Sequence, residues 1–412
     1  MKHKIALHHI KFSTVLLLSF GLLGCLYGQE TALKSEVSPF SYGTPNDVGW
    51  EQTMFQPMLD SLQLWCADEE IMGVEVLIIK DDIIVLHEAK GWADKEENQR
   101  LKKNSIFRIK SMTKPLVSTS ILMLVEEGKI GSLDDPVSKY LPEMNTKKAK
   151  EITIHQLLAH TGGLSELFDS HSIRWDYYDN LQSAVKQIGS KGRQYQSGSY
   201  RYSDEGAGVA AFLVEKLTGK DLETFFKERI FNPLQMHTSF FNPQHNREFI
   251  ERVNKSYRYD TKANRFVEGY SSKHSTSYGM KYLVGAFGIL STTLDYAKFI
   301  KSIMDAGYLN KKGILSSSSA FVATQTHTKN DWGGYGYFFQ TNNTKNGKTI
   351  NFGHSGISGT ASIAFPKINT IVMYFTQSMG HANYKNFMRT LLEIDDFNRN
   401  MEKTKWLVDK RE

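Results

Sequence analysis

The chain has 412 residues, of which 40% are hydrophobic and 23% charged, the balance of a soluble globular protein with a sizeable core. The formal net charge of +6 includes Lys2, Lys4 and Lys11 at the N-terminus. No Lys/Arg cluster stands out elsewhere, so no nucleic-acid partner is expected.

In chain order, the basic start is followed by the apolar run Val15-Leu16-Leu17-Leu18-Ser19-Phe20-Gly21-Leu22-Leu23. The run is short for a membrane span and gives way to small and polar residues, the pattern of an export signal over residues 1–28. Two processing routes are open. Leu22-Leu23-Gly24-Cys25 resembles a lipobox, which would lipidate Cys25 and attach the protein to a membrane. Cleavage after Gly28 is the plain alternative. The expected location is exported, either periplasmic or secreted or as a membrane-anchored lipoprotein. Cys25 is lost or lipidated on either route, which leaves Cys66 without a disulfide partner.

Residues 29–48 read as a polar spacer, 49–398 as the folded domain and 399–412 as a charged tail. Apolar spacing predicts a helix over 51–66 with Pro57 as an irregularity and Cys66 buried. Two β-rich runs, 73–80 and 83–88, flank Asp81-Asp82 as a hairpin. After Ser111 a nearly all-apolar run predicts a buried helix, with Pro115 in its first turn and Gly128 as its left-handed stop. Helices follow over 155–160, capped by Thr153, and over 204–217, 221–230 and 293–305. The stretch 175–190 reads as mixed helix and loop, and 244–281 as long surface loops. Strands return at 334–339, 349–353, 360–365 and 370–375, the last two a hairpin, before a helix carrying Tyr384, Phe387, Leu391 and Ile394. Strands at both ends with helices between predict an α/β protein of the α+β type. A mainly antiparallel sheet flanked by helices carries an inserted helical lobe, and the sheet brings the chain ends together.

The chemistry centres on Ser111-Met112-Thr113-Lys114. Residues three apart share a helix face, so a serine hydroxyl and an ammonium meet near a helix N-terminus, where free N–H groups favour negative charge. Serine needs a group to take its proton. Tyr202, in Tyr202-Ser203-Asp204 before a helix, suits that role if Lys114 lowers its pKa by favouring the phenolate. Gly353-His354-Ser355-Gly356-Ile357 imitates a nucleophile elbow but lacks the final glycine and leads into a strand. No H-E-x-x-H occurs, and His155 and His160 do not share a helix face, so no metal site is expected. His160 reads as structural.

Taken in order, Ser111-Met112-Thr113-Lys114, Tyr202-Ser203-Asp204 and His354-Ser355-Gly356 resemble the three elements of serine β-lactamases and penicillin-binding proteins, closest to the class C β-lactamase group with its esterase and peptidase relatives. Phe107-Arg108-Ile109, Leu133-Asp134-Asp135-Pro136-Val137 and Leu157-Leu158-Ala159-His160-Thr161-Gly162-Gly163 extend the likeness, which runs from about Trp50 to Leu392. The resemblance implies a sheet domain beside a helical lobe with the active site between them. It further implies acylation of Ser111, proton management by Lys114 and Tyr202, and an oxyanion hole made of the Ser111 and Ile357 N–H groups. Asp204, His354 and Gly356 would contact substrate. No cofactor is implied, and the partner is a small-molecule or peptide acyl substrate.

Two departures bear on the substrate. Asp204 stands where many relatives carry asparagine, and near Lys114 it would favour the ammonium form. His354 stands where lysine is frequent, which removes a fixed cation for a substrate carboxylate; its expected roles are to orient Tyr202 or to contact the substrate. The expected function is an exported serine hydrolase acting on an ester or amide. The alternatives are a catalytically weak or inactive binding or sensor protein on the same fold, and a true β-lactamase or DD-peptidase.

Overall fold

A computed structural model of the protein describes residues 38–380 apart from 167–168, 331–332 and 345, together with Phe387 and Leu391. The expected spacer ends early. Ser41–Tyr42 form a short strand, β1, and Phe40 and Pro45 beside it are buried. Helix α1 (Gln56–Ala67) begins later than expected, which places Pro57 in its first turn, where a missing N–H breaks no helical bond. Burial pushes the Cys66 thiol on this helix up to about 12, so it is inert. β2 (Gly73–Lys80) and β3 (Ile83–Asp94) make the expected hairpin. Asp81 and Asp82 take φ of 52° and 68°, the two left-handed positions of a type I′ turn. β4 (Gln99–Arg100) pairs with the end of β3, and β5 (Phe107–Arg108) leads through a 3-10 turn, Lys110–Thr113, into the buried helix α2 (Lys114–Glu126).

The lobe consists of α3 (Ile154–Leu158), α4 (Leu181–Lys191), α5 (Asp204–Thr218) and α6 (Leu222–Phe226). Thr153, Asn180, Ser203 and Asp221 cap them by accepting N–H groups of the first turn. The expected loops 244–281 include a hairpin, β6 (Tyr257–Asp260) and β7 (Arg265–Glu268), whose alternation is masked by exposed charged side chains. β8 (Leu290–Ser291) pairs with β5. It precedes α7 (Thr293–Tyr308), capped by Thr292, and α8 (Ser317–Ala323), which sequence reading missed. β9 (Thr328–Asn330), β10 (Gly333–Tyr335), β11 (Gln340–Asn343), β12 (Thr349–Gly356), β13 (Thr360–Phe365), β14 (Thr370–Thr376) and β15 (Ser378–Met379) complete the strands. The expected strand 334–339 stops at Tyr335, because Phe338 has a φ of 56°. Of the predicted last helix only Phe387 and Leu391 are described; both are helical and pack with Tyr374 against the sheet. The other residues of that expected helix, the expected charged tail, the expected export segment and Cys25 lie outside the described residues.

The main sheet runs β1-β3-β2-β14-β13-β12-β11-β10-β9, antiparallel except for β1 beside β3. Its N-terminal and C-terminal parts join where β2 meets β14, with Val76 opposite Tyr374 and Ile78 opposite Val372. Alternation along β2 sends Val74, Val76 and Ile78 toward α1, and Leu77 and Ile79 into the larger core shared with α2, α5 and α7. Strands buried on both faces explain why β2 and β14 read as nearly continuous apolar runs.

Candidate active site

Four bonds lock the turn that carries Ser111. The Ile109 N–H donates to Ile289 O at 3.1 Å, and Tyr296 Oη donates to Met112 O at 2.8 Å. Thr113 Oγ1 accepts the Ile289 N–H at 3.3 Å, and Lys114 Nζ donates to Ala286 O at 2.9 Å. The expected meeting of serine and lysine is present: Lys114 Nζ lies 3.3 Å from Ser111 Oγ. Ser111 stays partly accessible, while Lys114 is fully buried. The helix proper begins at Lys114, so Ser111 occupies the tighter preceding turn.

Helix α5 brings the second element. Ser203 caps it, Asp204 occupies its first turn, and Tyr202 lies just outside. Asp204 Oδ1 sits 2.7 Å from Lys114 Nζ, and the ammonium lies 4.6 Å from the centroid of the Tyr202 ring. Burial alone would drive the Lys114 amine toward neutrality, but Asp204 and Tyr202 outweigh it and its pKa is raised. The outcome at Tyr202 differs from expectation. Lys114 and the Ser111 hydroxyl favour its phenolate, but burial and the Asp204 charge prevail, and the phenol is pushed above its ordinary value. Desolvation of a phenolate costs more here than one already neutralised ammonium returns.

His160 holds this segment. It lies in the left-handed region (φ 55°), its carbonyl accepts the Arg201 N–H at 2.8 Å and its Nδ1 accepts the Ser203 N–H at 3.1 Å. Tyr202 is bracketed by these two bonds and packs against the imidazole, ring centroids 4.6 Å apart and planes tilted by 40°.

The third element is the end of β12. Gly356 is required there, because a Cβ would stand 2.5 Å from Ile109 O and 2.5 Å from Thr360 Oγ1. The turn beyond is tied to the same segment by Ser358 Oγ, which donates to Arg108 O at 2.8 Å. Ile357, partly exposed, thus emerges beside the serine turn and lines the same cleft as Ser111. His354 does not match its expected role. Its Nδ1–H donates to Ser355 O at 2.7 Å, which leaves Nε2 to accept from Tyr335 Oη at 2.7 Å. Burial and the Lys114 charge hold its pKa down at about 3. With both ring nitrogens engaged, it braces β12 against β10 and has none free for substrate or for Tyr202, whose ring centroid lies 6.4 Å away.

The cleft over Ser111 has a volume of about 600 Å³ and is lined by Lys110, Asp204, Trp175, Tyr278, Phe287 and Ile357 among others, a size and aromatic character suited to a small ligand. Lys110, Trp175, Tyr278 and Phe287 escaped sequence reading. Lys110 adjoins Ser111 in the chain, but only the backbone turn decides where its side chain goes. The other three come from distant segments with no motif.

A protein-family model described as Beta-lactamase matches residues 52–393. Penicillin-binding protein 4* of Bacillus subtilis is 28% identical over 292 residues, covering 68% of this chain and 62% of that protein, so the chain spans less than two thirds of that relative. A putative D-alanyl-D-alanine carboxypeptidase of Escherichia coli is 24% identical over 387 residues, covering 84% of this chain and 89% of that protein. The solved structure of EstCE1, described as a hydrolase with promiscuous acyltransferase activity, superposes with a TM-score of 0.69 at 20% identity. It covers 84% of this chain and 98% of its own, a likeness that speaks for the fold.

Proposed function

Since the chain belongs to the beta-lactamase family, we propose that it is a serine hydrolase that cleaves an ester or an amide through an acyl-enzyme on Ser111. One observation carries this reading: Ser111 Oγ, Lys114 Nζ, the Tyr202 phenol and the Asp204 carboxylate converge on one point at the floor of an open cleft. In the fraction of molecules whose Tyr202 has lost its proton, Ser111 Oγ attacks the carbonyl carbon while its proton passes to the Tyr202 phenolate, which the Lys114 ammonium faces. The carbonyl oxygen, now carrying charge, is received by the Ser111 and Ile357 N–H groups, an arrangement worth most in the transition state. Tyr202 returns the proton to the leaving oxygen or nitrogen. Water then repeats the sequence on the acyl-enzyme with Tyr202 again as base.

Esters come first among the substrates, ahead of D-amino-acid peptides and β-lactams, because a neutral, enclosed His354 supplies no cation at the third element. The export segment fits action outside the cytoplasm, with lipid attachment through Cys25 or free release as the two forms. The Asp204–Lys114 pair also favours a second reading, a binding protein that acylates slowly or not at all, since the pair keeps both proton carriers protonated.

A panel of small esters, D-amino-acid amides and β-lactams, run on wild type and Ser111→Ala, tests the proposal. Turnover is expected to drop by at least about 10³-fold in the variant. Unchanged hydrolysis in Ser111→Ala sinks it. A fluorophosphonate adduct on wild type that never forms favours the binding protein.

A further inference from the structure

The residue immediately before the nucleophile is a cation with no anionic partner. Lys110 is only 4% exposed, yet it lines the cleft together with Ser111. Its ammonium lies 3.7 Å from the centroid of the Tyr278 ring. Among the described residues, no carboxylate pairs with it and no hydrogen bond engages its Nζ. Every other buried lysine of the described residues has one: Lys114 has Asp204, and Lys301 has Asp82 and Asp305.

Behind it stands a second cation that, among the described residues, has no carboxylate. The buried Arg108 guanidinium donates, among those residues, to the carbonyls of Asn254, Ser272 and Ser275. Lys110 and Tyr278 are both held at positive φ, 49° and 57°, a strained backbone that aims one at the other. Burial first and Arg108 second bring the Lys110 amine down to about 7. A buried ammonium against a like charge is costly unless something else answers it. An aromatic face answers it in part.

We propose that Lys110 anchors a carboxylate carried by the substrate, beside the acyl group that Ser111 attacks. One unpaired ammonium matches one carboxylate. A dianionic phosphate fits less well, because Asp204, Asp169 and Glu205 line the same cleft. Trp175, Tyr278 and Phe287 supply an apolar wall for the rest of the molecule. The cation missing at His354 is thus provided from the other side of the nucleophile, so the favoured ester is one that itself carries a free carboxylate. This assignment rests on the serine-hydrolase reading of the site.

Boronic acids separate the two claims, because a serine oxygen adds to trigonal boron without turnover. Dissociation constants are measured for phenylboronic acid and its meta- and para-carboxy derivatives on wild type, Lys110→Met, Lys110→Gln, Lys110→Arg and Ser111→Ala. Wild type is expected to prefer at least one carboxylated ligand. Lys110→Met and Lys110→Gln lower that preference about tenfold, the size of one charge-assisted hydrogen bond, and Lys110→Arg keeps most of it. Equal affinities in wild type, or a preference unchanged in whichever neutral variant folds, overturn the anchor. Binding of both ligand types that survives in Ser111→Ala overturns the serine-hydrolase reading instead.

Discussion

Three residues make the site's proton and charge balance testable. Asp204 raises the pKa of both Lys114 and Tyr202. Asp204→Asn removes that charge, so the base form of either group appears at lower pH. The alkaline rise of kcat/KM on a neutral ester is therefore expected to move to lower pH; a profile that stays in place or moves up contradicts the coupling. Lys110 carries the opposite sign. Its amine titrates at about 7 in the folded protein, below its ordinary value of 10.5. The folded state therefore binds fewer protons than the unfolded chain between those values, and stability from this site rises with pH across that window and is lowest beneath it. Lys110→Met is expected to raise the thermal midpoint, and by more at about pH 6 than at about pH 9; equal midpoints at both would show that the charge costs nothing. His160 acts on Tyr202 through the backbone. His160→Ala is expected to lower kcat/KM by about 10–100-fold through misplacement of the phenol. His160→Asn recovers most of it, because asparagine tolerates the left-handed backbone and its Oδ1 can accept the Ser203 N–H. Loss of rescue would mean that the imidazole itself is needed.

At the scale of elements, two segments are stitched to a third. The end of β12 and the turn after it press on the segment that enters the serine turn, through Gly356 against Ile109 O and Ser358 on Arg108 O. Gly356→Ala inserts a methyl where two oxygens already stand at 2.5 Å. The strand must then withdraw, at a cost of about 1–3 kcal/mol, and Ile357 withdraws with it. Hydrolysis is expected to fall further than stability alone accounts for, measured as kcat/KM below the melting range beside the urea midpoint. Unaltered kcat/KM would dissociate Ile357 from the reaction. Helix α5 works in the same way on the other side: the Ser203 cap sets where it starts, and so where Asp204 meets Lys114.

The molecule as a whole closes through β2 beside β14. One apolar core runs from the sheet into the lobe, containing Leu77 and Ile371 of the sheet, Leu116 of α2, Leu213 of α5 and Phe299 of α7. The site lies along that seam and does not depend on a hinge between separate cores. Urea unfolding followed by far-ultraviolet circular dichroism and by tryptophan fluorescence is expected to give coincident transitions; an early loss of one signal would show that the lobe opens by itself.

Local patterns carried much of this by themselves. The hairpin at Asp81-Asp82, the buried helix after Ser111, the cap at Thr153 and the stop at Gly128 are written in neighbouring residues, because turn chemistry and helical spacing act over a few positions. The β6–β7 hairpin and α8 were not legible, since their apolar faces are short and their partners distant. In the site, Ser111 and Lys114 could be paired from their spacing, and Tyr202 could be named from the resemblance to the serine β-lactamase and penicillin-binding-protein elements. That the Tyr202 phenol is raised and not lowered depends on how burial and Asp204 combine. That His354 serves Tyr335 and the sheet, and that Lys110 enters the cleft without a partner, depends on segments far apart in the chain. Sequence determines which groups are available within a turn or a strand. Desolvation and the pairing of charges are sums over neighbours, and only the tertiary structure decides who the neighbours are.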